Sequence, residues 1–386
     1  MHQGIARVAV CFLAKFGLFY VFFAWVFSLV MTYVLVTYLT SDLTNKADNG
    51  NQPSSPSLPE DTDNVLFRNS PHLKLTSNLR HLHLPLGSSW NSTPHDDMKL
   101  MSYVHKYSTL PSCDQTVFLN IFVTSAPRNF KQRSAIRKTW CSLNMTSVIS
   151  VGQRIIPDHV TRCIFLIGRS MSYSIQNAVR SEAMQHHDIL QGLYLDSYRN
   201  LTIKVLQGLI WSHRSCPSAY ILKTDDDCFV NIPIVKLLLG QASRERNIYL
   251  GHVMGNEARR KVIRDPDSKW HVSASQFSSQ YYPPYVSGFG YLLSWDLVEI
   301  ITSIYRSINI IPIEDAYIGI LLNSVGITPI HSDRFNVHSI QWHLCNLLYF
   351  VVIHKVTIES QALLSSQCVH SYLKCSIKNS HIFLWD

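Results

Sequence analysis

The stretch Ala219-Tyr220-Ile221-Leu222-Lys223-Thr224-Asp225-Asp226-Asp227-Cys228-Phe229-Val230-Asn231 decides the fold class. Its first four residues form a short apolar run that reads as a buried strand, and it ends in three consecutive carboxylates. Such carboxylates repel one another unless a cation or hydrogen-bond donors sit among them. A hard divalent ion, Mn²⁺ or Mg²⁺, takes oxygen ligands and commonly adds phosphate oxygens to its shell. An EF-hand does not fit, because its required Gly and terminal Glu are not in place. Taken alone, the acids also suit a solvated loop or a helix cap ahead of Ile232-Pro233.

Asp-x-Asp also occurs at Asp61/Asp63 and Asp265/Asp267, but neither pair follows an apolar strand, and the second contains Pro266. Working outward, Val117–Val123, Cys163–Ile167 and Ile248–Leu250 read as further buried strands, with another at Tyr291–Leu293. Gln132–Trp140, Ile175–His186 and Tyr198–His213 read as helices. Strands alternating with helices predict an α/β sheet whose ligands sit at the C-terminal ends of its strands. There is no Gly-x-Gly-x-x-Gly and no P-loop Gly-Lys-Ser/Thr, which disfavours a dinucleotide enzyme or a P-loop ATPase.

Three other segments carry candidate chemistry. Arg133 and Arg137 lie one helical turn apart and present guanidinium groups on one face, suited to phosphate or carboxylate. Tyr281-Tyr282-Pro283-Pro284-Tyr285-Val286-Ser287-Gly288-Phe289-Gly290 is stiff and aromatic, and its glycines allow close backbone approach. It reads as a loop that faces a sugar or leads into the next strand. Glu314-Asp315-Ala316-Tyr317-Ile318-Gly319 opens an apolar helix, where a carboxylate also suits the positive end of the dipole.

The compartment is written at the N-terminus. From Phe16 to Leu39 there is no charged residue, and Arg7 and Lys15 precede the run. At about 1.5 Å per residue it spans a hydrocarbon layer of about 30 Å. The basic flank predicts an uncleaved signal-anchor with a cytosolic N-terminus and a lumenal remainder. A cleaved signal peptide is the rival, but its apolar core is normally about 7–15 residues and ends in small ones. Sequons at Asn91, Asn144 and Asn200 agree with a lumenal chain. Of 9 cysteines, all but Cys11 fall beyond the span and can pair in an oxidising space, with Cys228 readable as a free core thiol.

Apolar residues are 46% and charged ones 16%, enough apolar surface to exclude wholesale disorder. The net charge of +8 comes from dispersed residues, with no basic block or zinc-finger spacing, so nucleic acid is not the expected partner. Four segments are expected: a cytoplasmic tail over 1–15, the anchor over 16–40, a lumenal stem over 41–112 rich in turn formers, and a globular domain over 113–386.

Together, in this order, the segments resemble glycosyltransferase family 31, the β-1,3-glycosyltransferases that use UDP-sugars. The resemblance runs from about Phe118 to His354. It rests on Arg-Ser-Ala-Ile-Arg-Lys-Thr-Trp ending at Trp140, on Asp188-Ile189-Leu190 leading to Asp196-Ser197-Tyr198-Arg199-Asn200-Leu201-Thr202-Ile203-Lys204, on Lys223–Asp227, on the Tyr-Pro-Pro-Tyr-x-Ser-Gly run from Tyr282, and on Glu314–Gly319. It implies a GT-A fold, a Rossmann-like mixed sheet flanked by helices, in a single-pass type II Golgi membrane protein.

Carried over, Asp227 is the main metal ligand, with Asp225 and His354 beside it; Arg133, Arg137, Lys223, Asp225 and Asp226 face the UDP-sugar donor. Asp315 is the general base, and Glu314, Tyr285 and Gly288 lie toward the acceptor. Many relatives have Cys at the positions of Val286 and near Ile320, so a disulfide there is absent. His354 lacks the usual following proline, and the tail with Cys368 and Cys375 matches no family pattern. The implied activity is inverting, Mn²⁺-dependent transfer of galactose, with N-acetylglucosamine and N-acetylgalactosamine as alternative donors. A glycan acceptor on protein or lipid is the expected partner, along with a homodimer or a dimer with another Golgi transferase. A non-catalytic glycan-binding protein on the same scaffold is the alternative of another class.

Overall fold

The computed structural model describes residues 105–113, 116–142, 150–151, 154–155, 159–242, 245–337 and 344–375, with 150–151 and 154–155 described by backbone alone. The expected cytoplasmic tail, anchor and stem up to residue 104, with Asn91, and also Asn144, all lie outside the described residues. Among the described residues no helix is long and apolar enough to cross a membrane.

The strands are β1 (Tyr107–Thr109), β2 (Val117–Thr124), β3 (Ser150–Val151), β4 (Arg154–Ile155), β5 (Thr161–Arg169), β6 (Ile189–Leu195), β7 (Ser218–Asp225), β8 (Phe229–Val230), β9 (Tyr249–Met254), β10 (Tyr285–Ser294), β11 (Ile330–His331), β12 (Phe335–Asn336) and β13 (Val352–Ile353). The helices are α1 (Phe130–Lys138), α2 (Tyr173–His186), α3 (Leu201–Ser215), α4 (Ile232–Gly240), α5 (Trp295–Ile304), α6 (Glu314–Ser324) and α7 (Ile358–Lys374).

Eight strands form one mixed sheet in the order β1-β6-β5-β2-β7-β10-β9-β11. β6, β5, β2 and β7 run parallel, β10 runs against both β7 and β9, and β11 is parallel to β9. The C-terminal ends of β2, β5, β6, β7, β9 and β11 therefore meet the start of β10 along one edge. Every candidate site segment but one leaves the sheet there or packs against it. That is where parallel sheets bind ligands.

Successive residues of a strand point to opposite faces, and here both faces are covered. Phe122, Ile164, Leu166 and Ile221 join the apolar cluster under α3, α5 and α6. Their neighbours Ile121, Phe165, Ile167 and Leu222 join the cluster under α1, α2, α4 and α7. The strands read as largely apolar runs, without strict alternation, because both faces are covered.

A second sheet of three strands, β12-β13-β8, decides the site. β13 pairs antiparallel to β8 with Val352 opposite Val230 and Ile353 opposite Phe229. Continuing that register by one step sets His354 across from Cys228. Two segments more than a hundred residues apart are thus brought to the acidic stretch by a two-residue ladder.

Differences from the sequence expectations have local causes. Tyr285–Gly290 is the first half of β10 and not a loop; its pairing with β9 shifts between Val286 and Tyr291. β6, α5 and α7 were not anticipated. Gln191 and Gly192 interrupt the apolar run of β6, and Gln191 is buried, donating to the Gly168 carbonyl. Pro233 occupies the first turn of α4, where a missing N–H costs nothing, as the helix-cap reading of the acids implies. The cysteines pair as Cys113–Cys216, Cys141–Cys163 and Cys345–Cys375. Cys228 and Cys368 are buried free thiols, so complete pairing is not what the fold adopts.

Candidate active site

Asp225 is the last residue of β7 and sits opposite Thr124 at the end of β2, whose hydroxyl donates to Asp225 Oδ1 at 2.6 Å. Asp226 Oδ2 accepts from Ser125 Oγ at 2.6 Å and from Asn129 Nδ2 at 2.8 Å. Burial nonetheless raises the Asp226 carboxyl, and the neighbouring charges of Asp225 and Asp227 add to the rise. Asp227 has half of its side chain exposed, with Oδ2 3.5 Å from His354 Nε2. Burial opposes its charge, but the His354 contact wins and holds the carboxyl below the usual range. Asp227, Cys228 and His354 each offer a ligand atom within 4.8 Å of the others. His354 stacks on Phe289 with ring centroids 4.9 Å apart, and its Nδ1 is buried without a partner. Acid, imidazole and an orphaned nitrogen at one spot fit a divalent cation.

A cavity of about 410 Å³ opens beside this cluster, lined by Gln132, Asp226, Asp227 and the 355–361 segment leading into α7. That helix is anchored from both sides. Gln361 accepts from Trp140 Nε1 at 3.0 Å and donates to the Cys228 carbonyl at 2.9 Å. Val356 N donates to the Asp227 carbonyl at 2.7 Å. The tail that resisted reading in the sequence is a wall of the site.

Asp315 stands in the first turn of α6. Its Oδ2 accepts from Gly288 N and its Oδ1 from Ala316 N, both at 2.9 Å. Burial raises the carboxyl, while those two N–H groups and the Lys223 charge pull it back. The result is a partly exposed carboxylate fixed by backbone, with raised basicity. Its neighbour Glu314 differs: it is 3% exposed, accepts from Tyr291 Oη at 2.5 Å, and leaves Oε2 without a hydrogen bond, 3.5 Å from Lys223 Nζ. Burial pushes Glu314 up to about 7, with Lys223 opposing and Asp315 reinforcing.

Lys223 joins the two halves. Buried at 1% exposure, it donates to the Gly288 carbonyl and to Asp225 Oδ1 at 2.7 Å, and pairs with Glu314. Gly288 in turn holds Asp315. Asp225, Lys223, Gly288 and Asp315 therefore form one connected chain from the acidic cluster to the carboxylate on α6.

Several expected contacts are corrected. Lys223 has its ammonium committed to protein acceptors and does not reach for a phosphate. Arg133 is fully buried and its N–H groups go to Glu182, Ser125 Oγ and the carbonyls of Ala126 and Pro127. It braces the loop whose Ser125 holds Asp226. Arg137 makes a two-pronged pair with Asp188 at 2.7 and 2.8 Å and reaches Glu182 at 2.6 Å. Neither guanidinium faces a donor. Tyr285 is 7% exposed, and its Cα and Cβ pack against Gly319 of α6, so most of the residue is core. Gly288 and Glu314 serve the site by orienting Asp315 and Lys223, as their bonds dictate. Asn200 donates from Nδ2 to the Leu195 carbonyl at 2.8 Å, and Thr202 of the same sequon donates to the Ile311 carbonyl. A glycosylated asparagine keeps one amide hydrogen, so that bond is compatible with a glycan.

Other residues emerge only in three dimensions. Tyr198, just past β6, and Trp270, in the β9–β10 connection, lie 72 positions apart yet share a hydrogen bond from Trp270 Nε1 to Tyr198 Oη at 3.0 Å. They stay 45% and 48% exposed on the ligand edge, and the Asp315 and Asp225 charges add to the burial that raises the Tyr198 hydroxyl. Lys269 lies over both rings. The motif residues Asp196 and Lys204 prove structural: Lys204 Nζ bonds Asp196 and the Ser125 carbonyl, tying the ends of β6 and β2 together.

An acidic cluster suited to a cation and a backbone-held carboxylate on one sheet edge fit a group-transferring enzyme. The family model described as Galactosyltransferase matches residues 131–333. The human protein named beta-1,3-galactosyltransferase 5 is 33% identical over 267 residues, 66% of this chain and 82% of that one. The mouse protein named beta-1,3-galactosyltransferase 1 is 32% identical over 251 residues, 64% and 73% of the two chains. Among solved structures, galactosyltransferase LgtC in complex with donor and acceptor sugar analogs matches at 12% identity over 64% of this chain and 95% of that one. Its TM-score is 0.31, and nothing rests on it. The chain belongs to the galactosyltransferase family, glycosyltransferase family 31, and is a hexosyltransferase.

Proposed function

We propose that the enzyme is an inverting β-1,3-galactosyltransferase of GT-A type, which moves galactose from UDP-galactose to the 3-hydroxyl of a glycan acceptor. The relatives' names support galactose as the sugar and β-1,3 as the linkage. The observation that carries the reading is the connected chain from Asp225 through Lys223 and Gly288 to Asp315. It holds a base at a fixed offset from the acids that face the donor.

A sugar hydroxyl is a poor nucleophile at neutral pH, so a base must accept its proton as the new bond forms. Asp315 fills that role. Gly288 N and Ala316 N fix its carboxylate, and burial lifts its basicity toward working pH. The acceptor oxygen attacks the anomeric carbon from the face opposite the diphosphate, which inverts an α-linked donor to a β product. One displacement needs one base and no covalent sugar–enzyme intermediate. Asp227 and His354, with Asp225 nearby, are the residues that hold a divalent cation, Mn²⁺ in this reading. The chemistry it supplies is neutralisation of charge growing on the leaving diphosphate. Asp226, fixed by Ser125 and Asn129, shapes the donor side.

The Tyr198–Trp270 pair supports a carbohydrate acceptor, because an exposed indole offers an apolar face to the C–H side of a pyranose ring. Trp270→Ala is expected to raise the acceptor KM on the order of tenfold, with the donor KM unchanged. An equal rise in both constants contradicts an acceptor role. The type II Golgi topology, the anchor over 16–40, glycosylation at Asn91, Asn144 and Asn200, and dimerisation with another transferase belong to the same proposal.

A panel of labelled UDP-sugars tests it, with Asp315→Asn as control. Transfer of galactose in preference to N-acetylglucosamine and N-acetylgalactosamine is the expected result. Asp315→Asn is expected to lower kcat by about 10²–10⁴-fold while still binding UDP. Transfer of another sugar corrects the donor alone; full turnover by Asp315→Asn removes the base. UDP binding without turnover on any acceptor favours the non-catalytic glycan-binding reading.

A further inference from the structure

Cys228 occupies an unusual place for a free thiol. It directly follows the three acids and is fully buried, and the β8–β13 register sets it across from His354. Its Sγ lies 3.7 Å from Asp227 Oδ1 and 3.3 Å from the Phe289 carbonyl. On the other side of the Asp227 carboxylate, His354 Nε2 is 3.5 Å from Oδ2. A tetrahedral ion bonded to N and O at about 2.0–2.1 Å and to S at about 2.3 Å sets neighbouring ligand atoms about 3.3–3.8 Å apart. The two separations are to different oxygens of the carboxylate, and with one oxygen counted all three ligand atoms lie within 4.8 Å of one another. A cation bound among them draws the three closer together.

The geometry points to a thiolate-containing centre, Asp227–Cys228–His354, that prefers a thiophilic divalent cation such as Zn²⁺ over the oxygen-seeking Mn²⁺ of the proposed reaction. The inference rests on the reading of Asp227 and His354 as cation ligands and adds the sulfur. One carboxylate, one imidazole and one thiolate are the donor types zinc takes when three protein ligands leave a coordination position free. Magnesium and manganese, by contrast, favour oxygen ligands over sulfur. The exchange balances: the S–H proton leaves for solvent as sulfur bonds the cation, and the contact to the Phe289 carbonyl is given up. Without a cation the thiol is satisfied by that carbonyl. His354 Nδ1 remains buried and unpartnered. The consequence is selectivity: Zn²⁺ and Cd²⁺ compete at this centre on terms that an all-oxygen site does not offer.

Affinity order alone does not test this, since Zn²⁺ outranks Mn²⁺ at nearly any nitrogen or oxygen site. The test uses the full chain in detergent, titrated with Co²⁺ alone and then with Zn²⁺ and Mn²⁺. A thiolate-to-cobalt charge-transfer band is expected in the wild type and is expected to vanish in Cys228→Val. The same substitution is expected to weaken Zn²⁺ by on the order of a hundredfold and to leave Mn²⁺ binding, read by electron paramagnetic resonance, unchanged. Cobalt binding without the band, or a zinc-to-manganese ratio that is the same in both proteins, overturns the sulfur ligand and leaves the cation site standing. Failure of all three ions to bind, with or without UDP, overturns the cation reading as well. If Cys228→Val does not fold, ¹¹³Cd resonance of the wild type decides. A shift in the sulfur-ligated range supports the centre, and one in the oxygen and nitrogen range overturns it.

Discussion

Glu314 and Asp315 are adjacent carboxylates with different surroundings, and the difference assigns their roles. Asp315 is partly exposed and receives two backbone N–H groups, while Glu314 is shut away with Tyr291 and Lys223. Glu314 also has a measurable consequence for stability. Its carboxyl is raised from 4.5 to about 7 in the fold. A group raised on folding stabilises the native state fully below its unfolded value, and that contribution is lost as pH climbs through the folded value. Urea midpoints are therefore expected to fall between pH 4.5 and 7, and the fall to be shallower in Glu314→Gln. Equal slopes in the two proteins count against the buried acid. Asp315 and Asp226, also raised, push the same way, whereas Asp227 is lowered and acts only in stronger acid. At this scale the acids were legible, because three carboxylates after an apolar strand have few uses. The arginines were not. Spacing of four shows that Arg133 and Arg137 share a helix face, but their partners Glu182 and Asp188 come from a distant segment that no local pattern names.

Strands and helices set the distances between those residues. Gly319 of α6 meets β10 so closely that an added Cβ would stand 2.4 Å from the Tyr285 Cβ. Gly319→Ala is expected to cost about 1–3 kcal/mol, read as a lower urea midpoint, as overpacking of a full core does. Gly288 has a milder constraint of another kind: its Cβ would fall 3.2 Å from Asp315 Oδ2. Gly288→Ala is expected to lower kcat by up to about a hundredfold through a displaced base, with little change in the urea midpoint. A loss of stability equal to that of Gly319→Ala would show that the position is structural. The central strands were readable as apolar runs, and α6 from its acidic first turn. The ladder between β8 and β13 was not, since two paired residues on each side leave no periodic trace. That ladder is nevertheless what delivers His354.

Across the whole molecule, covalent links compensate for long connections. Cys113–Cys216 joins residues 103 apart in sequence, from ahead of β2 to the end of α3. Replacing both by serine is expected to remove about 4–5 kcal/mol by the chain-entropy estimate, seen as a lower urea midpoint. A change under about 1 kcal/mol would mean that the unfolded chain keeps these segments together without the bond. The pairing was illegible beforehand, because the eight thiols after Cys11 allow far too many partners. The α/β architecture was legible, since alternation of strand and helix survives in the order of the segments.

The wall built by the last helix reaches beyond structure. A transcript cut short by a stop codon after residue 333 would keep the full span matched to the family. It would also encode all three acids and Asp315. Yet it would lack His354, the Gln361 clamp and the Cys345–Cys375 tether. A gene catalogue that scores motifs would count such a product as a working transferase, while a cell would receive a protein whose cavity beside the acids has lost one side.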